Sequence, residues 1–163
     1  NVLENFKKIY LIFTMPNADT DGRIVMQKIK EFCDKNTHAK VFESLGQQRY
    51  LSCIQHTDGV VGNSSSGLLE APALNTGTIN IGDRQKGRLK ASSVIDCKPE
   101  RDEIRRAIDQ LFSDNFQSSL KMIENPYGHG GATERICEIL EKKPLHNILK
   151  KSFFDTPITL KNR

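Results

Sequence analysis

The strongest constraint on the fold is an alternation. Short, nearly continuous apolar runs are followed repeatedly by longer segments whose apolar residues recur at helical spacing. Ile9 to Thr14 reads Ile-Tyr-Leu-Ile-Phe-Thr, the pattern of a strand covered on both faces. Further strands are expected over 38–43, 59–62, 78–81 and 93–96. Between them, Arg23 to Asp34 sets Val25, Ile29, Phe32 and Cys33 on one helical face, and Gln47 to His56 does the same with Tyr50, Leu51 and Ile54. A helix is expected over 65–74. Arg101 to Ser113 carries the clearest stripe, Ile104, Ala107, Ile108, Leu111 and Phe112, with Pro99 suited to a first helical position. Helices are also expected over 115–123 and 132–142, the last packing Ile136, Ile139 and Leu140. Strands alternating with helices imply βαβ units, right-handed crossovers and an open α/β fold with a doubly wound parallel sheet. The reading divides the chain into one domain, 1–143, and a basic tail, 144–163.

A chain of 163 residues, 37% hydrophobic and 27% charged, has enough apolar material for one core without disulfides or metal. The net charge of +4 and the absence of Trp favour a local anion site over a nucleic-acid surface. Cys33, Cys53, Cys97 and Cys137 are widely spaced and form no C-x-x-C pair, so neither zinc nor any other metal is expected. Cys33 and Cys137 fall on the expected apolar faces of helices, consistent with a reducing, cytoplasmic setting. No run reaches membrane-spanning length. The start, Asn-Val-Leu-Glu-Asn-Phe, reads like the middle of a helix and suggests a chain cut from something longer.

In open parallel sheets, ligands bind beyond the carboxyl ends of the strands. The loops there are 16–22, 44–47, 62–67 and 82–88, all rich in small and polar residues. Gly62-Asn63-Ser64-Ser65-Ser66-Gly67 links a strand to a helix start, where unsatisfied N–H groups favour anions. A diphosphate on these N–H groups and on the hydroxyls of Ser64 and Ser65 is one reading; a serine-rich turn that caps a helix is the other. The segment is neither a Walker A loop nor a G-x-G-x-x-G fingerprint. Glu70 is placed to accept two hydrogen bonds from a ribose diol, or is a solvated helix carboxylate. Arg84 and Arg88 suit phosphate recognition, or are surface charge. Asn17 and Asp19 are ligand-facing or Asx-turn residues. There is no nucleophile–base motif and no carboxylate pair placed for acid–base work.

Four ordered segments carry a resemblance: Pro16-Asn17-Ala18-Asp19, Gly62 to Glu70, Ile79 to Arg88, and Asn125-Pro126-Tyr127-Gly128. Together they resemble the second half of UDP-N-acetylglucosamine 2-epimerases, over essentially the whole chain. The Asp83-Arg84-Gln85-Lys86-Gly87-Arg88 segment is similar to the hydrolysing branch of sialic and legionaminic acid biosynthesis. His129 departs from the family, which usually has an acidic residue there.

The resemblance implies a Rossmann-like unit, the C-terminal half of a two-domain GT-B architecture. It implies that Asn17 and Leu45 lie near the nucleotide, Ser64 and Ser65 bind diphosphate, Glu70 holds the ribose, and Arg84 sits at the nucleotide site. It implies no cofactor, and catalytic acid–base residues in a missing N-terminal domain rather than in this chain. Partners would be a UDP-sugar and that domain, in a homo-oligomer at full length, with no nucleic acid and no membrane. The implied reaction releases UDP from UDP-N-acetylglucosamine and forms N-acetylmannosamine by elimination and hydration. Two other readings stay open: a GT-B glycosyltransferase using UDP-sugars, and a nucleotide-binding module without catalysis.

Overall fold

The computed structural model describes residues 2–3, 6, 8–15, 22–146, 149–150 and 153. Asn17, Asp19 and most of the 144–163 tail lie outside the described residues. The chain parts into two compact units, 1–129 and 130–163.

In the first unit, elements follow in the order β1 (Leu11–Thr14), α1 (Gly22–Lys35), β2 (Ala39–Phe42), α2 (Gly46–Gln55), β3 (Gly59–Gly62), α3 (Ser66–Leu69), β4 (Gly77–Ile81), β5 (Val94–Cys97), α4 (Arg101–Leu111) and α5 (Asp114–Ser119). Short 3₁₀ turns cover Pro72–Leu74 and Leu120–Met122. Every strand pairing is parallel, as crossover connections require. Among the described residues β1 pairs with β2, and β4 lies between β3 and β5. Apolar runs reveal strands, but a ladder between distant runs is set by tertiary packing. β4 is the buried centre of its sheet, with Ile79 fully enclosed.

The main core joins this sheet to α4. Ile79, Ile95 and Cys97 pack with Ala107, Ile108 and Leu111, and Val2, Leu3, Phe6, Ile9, Ile81, Ile104 and Phe116 close around them. Burying each large aliphatic side chain here stabilises the fold by roughly 1.5–3 kcal/mol. The helix spacing of Ile104, Ala107, Ile108 and Leu111 gives α4 its buried stripe, and Asp102 and Glu103 sit favourably in its first turn. Gly59 and Gly77 are register partners, and both lie under Leu111. A Cβ on Gly59 would meet Leu111 Cδ2 at 2.6 Å, and one on Gly77 would meet Leu111 Cδ1 at 2.7 Å. The helix therefore approaches the sheet so closely that only glycine fits beneath it.

Several expectations change. The helix expected over 65–74 is a single α turn followed by a 3₁₀ turn, because Pro72 cannot continue the backbone hydrogen bonding. Asn75 ends that segment in the left-handed region, at φ 54°. The helix expected over 115–123 likewise shortens to α5 and the 3₁₀ turn that follows. Pro99 precedes α4 by two residues, and Glu100 is the N-cap. Val25 on α1 is exposed, and Cys33 is only half-buried.

The second unit contains α6 (Ala132–Lys142). Its length matches the expectation. Ile136, Ile139 and Leu140 are more than half exposed, though, and Cys137 is exposed too, so the expected packing of this face is not present among the described residues.

Candidate functional site

The serine turn sits at the carboxyl end of β3 and is built by local hydrogen bonds. Gly67 N–H donates to the Ser64 carbonyl, and Leu68 and Leu69 N–H donate to that of Ser65. Ser66 N–H donates to Ser64 Oγ at 3.3 Å, so this hydroxyl already serves the turn. The N–H groups of Ser64 and Ser65 have no protein acceptor among the described residues. Those two donors, rather than a long helix dipole, are what the turn offers an anion, since α3 is one turn long.

The turn is pinned from three directions. From below, Thr78 on β4 donates its hydroxyl to the Gly67 carbonyl at 2.8 Å. A Cβ on Gly67 would come within 2.5 Å of Thr78 Cγ2, so glycine is needed for that approach. From α2, Tyr50 donates its hydroxyl to Ser66 Oγ at 2.8 Å. From the loop after β4, Gln85 donates its side-chain amide to the Asn63 carbonyl at 2.7 Å. Gln85 is buried, at 4% exposure.

That last bond joins the two segments singled out in the sequence. The loop 82–88 is folded by its own turns: Lys86 N–H reaches the Asp83 carbonyl and Arg88 N–H reaches that of Gln85. Gly82 and Gly87 both take φ of 81°, where a side chain is disfavoured. Arg84, Lys86 and Arg88 are exposed on this loop. At its far end Tyr127, from the Asn125–Gly128 turn, donates its hydroxyl to the Leu89 carbonyl at 3.0 Å. Beneath the loop, the Asp96 carboxylate on β5 accepts from Asn80 Nδ2 at 2.7 Å and from Lys90 Nζ at 2.7 Å. Partial burial pushes the Asp96 carboxyl up, but the bonds from Lys90 and Asn80 outweigh it and hold the group below the usual carboxylate range.

Glu70 is the C-cap of α3, not a residue inside a longer helix, and is half-buried. Its N–H donates to the Ser66 carbonyl at 2.9 Å, which places it one turn along from the serines. Leu45 is the N-cap of α2 and half-buried, on the same helix that sends Tyr50 to Ser66. The structure thus brings Ser64, Ser65, Glu70 and the Arg84 loop together, with Leu45 at the head of the adjoining helix. Asn17 lies outside the described residues. A shallow depression of about 600 Å³ is lined by Gln48, Arg49, Ser52, Cys53 and His56, and shares none of these residues. No group of three or more metal-ligating side chains is found among the described residues, and no helix among them is long and apolar enough to cross a membrane.

Sequence reasoning missed Tyr50, Thr78 and Gln85. By spacing alone Tyr50 belongs to a helical apolar face and Thr78 to a strand. Gln85 lay within a noted segment, but its partner is 22 residues away, and no local signal announces such a bond.

The family described as UDP-N-acetylglucosamine 2-epimerase matches residues 1–141. The chain is 41% identical over 155 residues to a GDP/UDP-N,N′-diacetylbacillosamine 2-epimerase (hydrolyzing) of Campylobacter jejuni, covering 94% of this chain and 40% of that protein. It is 40% identical over 147 residues to a polysialic acid biosynthesis protein (P7) of Escherichia coli, covering 90% of this chain and 37% of the relative. A crystal structure of Methanocaldococcus jannaschii UDP-GlcNAc 2-epimerase in complex with UDP-GlcNAc and UDP has a similar fold, with a TM-score of 0.67 at 20% identity, over 86% of this chain and 37% of that one. The chain therefore spans about 40% of the length of the curated relatives it matches.

Proposed function

Because the chain belongs to the UDP-N-acetylglucosamine 2-epimerase family, we propose that it is the nucleotide-binding part of a hydrolysing 2-epimerase, the C-terminal half of a GT-B architecture. Ser64 and Ser65 bind the diphosphate through their N–H groups and hydroxyls, Glu70 holds the ribose diol, and Arg84 pairs with phosphate. Asn17 and Leu45 lie near the nucleotide. The observation that carries this reading is the Gln85–Asn63 bond, which couples the serine turn to the arginine loop. Backbone N–H donors and a guanidinium on two joined loops suit a bidentate anion.

The reaction proposed is loss of the C2 proton and of UDP from a UDP-2-acetamido sugar, giving a 2-acetamidoglucal, then addition of water. For UDP-N-acetylglucosamine the products are N-acetylmannosamine and UDP. The share of this part is to stabilise charge on departing UDP. Proton transfer falls to an N-terminal domain, which is its partner within a cytoplasmic homo-oligomer. The name of the Campylobacter relative favours a diacetamido sugar as the natural substrate, in the making of a sialic-acid-like sugar.

Calorimetry with UDP tests the reading. Saturable binding that weakens about tenfold or more in Arg84→Ala supports it; no binding at millimolar UDP defeats it. Product analysis of the full-length enzyme, offered UDP-N-acetylglucosamine and its diacetamido relative in turn, identifies the sugar. Transfer to an acceptor instead of release of a free sugar would indicate a glycosyltransferase.

A further inference from the structure

We propose that Gln85 is a positioning residue: it sets Arg84 against the serine turn, and so determines how tightly the diphosphate end of the nucleotide is held. The inference rests on the diphosphate reading given above.

Four observations converge on Gln85. It is a polar side chain at 4% exposure within a loop whose neighbours on both sides, Arg84 and Lys86, are exposed. Its amide nitrogen is spent on a backbone carbonyl, that of Asn63, the residue before Ser64. A main-chain acceptor cannot be altered by side-chain exchange, so the bond fixes loop against loop. The loop's other bonds named here are internal, the Asp83–Lys86 and Gln85–Arg88 turns, or lie at its far end, where Tyr127 meets Leu89, so none of these three fixes it against the serine turn. Finally, Gln85 Oε1 is buried with no hydrogen-bond partner among the described residues, which is costly for a carbonyl. The side chain occupies this place despite that cost, as expected if the donor bond is what matters there.

The consequence is geometric. Arg84 is bonded directly to the residue that is clamped, so its backbone is held at the edge of the serine turn. Release of the clamp lets the loop take many positions, and only a fraction of them present the guanidinium to the diphosphate. Apparent affinity falls by that fraction.

A double-mutant cycle on UDP binding by calorimetry tests this, with Gln85→Met, Arg84→Ala and the pair. Gln85→Met keeps length and removes the donor. Three results are expected together: Gln85→Met weakens UDP about tenfold, the binding stoichiometry stays that of the unmodified chain, and the double variant binds no more weakly than Arg84→Ala alone. Non-additivity of this kind shows that Gln85 acts through Arg84; general destabilisation would lower the stoichiometry and leave the two losses independent. Unchanged affinity in Gln85→Met, or fully additive losses, overturns the inference while leaving the nucleotide assignment standing. Absence of UDP binding by the unmodified chain overturns the assignment and this inference with it. Should Gln85→Met fail to fold, Gln85→Leu, which removes the amide without adding charge, takes its place in the same cycle with the same expected outcomes.

Discussion

Tyr50 on α2 and Ser66 at the start of α3 share a hydroxyl–hydroxyl bond of 2.8 Å. It ties the helix that follows β2 to the turn that follows β3. The elements that follow β2 and β3 are thereby linked by one bond between residues 16 apart in the chain.

Replacing Tyr50 with Phe removes the donor and leaves Ser66 Oγ without it. We expect a loss of about 1 kcal/mol in stability, the worth of a partly buried hydrogen bond. Urea denaturation of Tyr50→Phe, Ser66→Ala and the double variant checks this. The double variant should be no less stable than the worse single one; independent losses would mean that the two hydroxyls do not act as a pair.

Glu70 is proposed to hold the ribose diol. UDP should then bind more tightly than 2′-deoxy-UDP to the unmodified chain, by about tenfold for a charge-assisted bond. Glu70→Ala should erase that preference. Equal affinity of the unmodified chain for the two nucleotides would remove the role assigned to Glu70.

The glycine pair beneath Leu111 makes a packing prediction. Gly77→Ala places a methyl group 2.7 Å from Leu111 Cδ1 and 2.8 Å from Phe116 Cε1. Overpacking a core of this kind costs roughly 1–3 kcal/mol. Combining Gly77→Ala with Leu111→Ala should cost less than the sum of the two single changes, read as urea midpoints, because the smaller side chain makes room.

Asp96 predicts a pH dependence. Its carboxyl lies below the ordinary range in the folded chain, since the Lys90 and Asn80 bonds outweigh the upward push of burial. A lowered folded pKa stabilises the fold above the unfolded pKa of about 3.9, and that contribution is lost as pH falls through the folded value. The carboxylate is more than half exposed, so the effect is small. Asp96→Asn should lose less stability than the unmodified chain between about pH 6 and about pH 3. An identical acid profile in the variant would show that the Lys90–Asp96 pair carries no linkage.

Much of the scaffold was legible in one dimension. β3 and α6 match their expected limits, and most other elements lie within a few residues of theirs, because apolar periodicity is a local property. The failures have physical causes. A proline divided the segment after the serine turn, removing most of the expected helix dipole, and the apolar stripe of α6 found no cover among the described residues. Ser64, Ser65 and Glu70 are proposed as ligand contacts from residue type, position at a strand end and the family resemblance. Gln85, Tyr50 and Thr78 were not legible in that way, because each earns its place through a partner 11 to 22 residues away.

The sequence by itself determined the order of strands and helices, the parallel crossovers, and the two strand-end segments richest in small, polar and basic residues. Periodicity, turn chemistry and residue type settle those matters over a few neighbours. The tertiary structure alone decided that β4 lies between β3 and β5, that Leu111 rests on a glycine pair, and that Gln85 fastens the arginine loop to the serine turn. Those depend on which distant groups meet, and the free energy of such meetings belongs to pairs of positions that local sequence does not join.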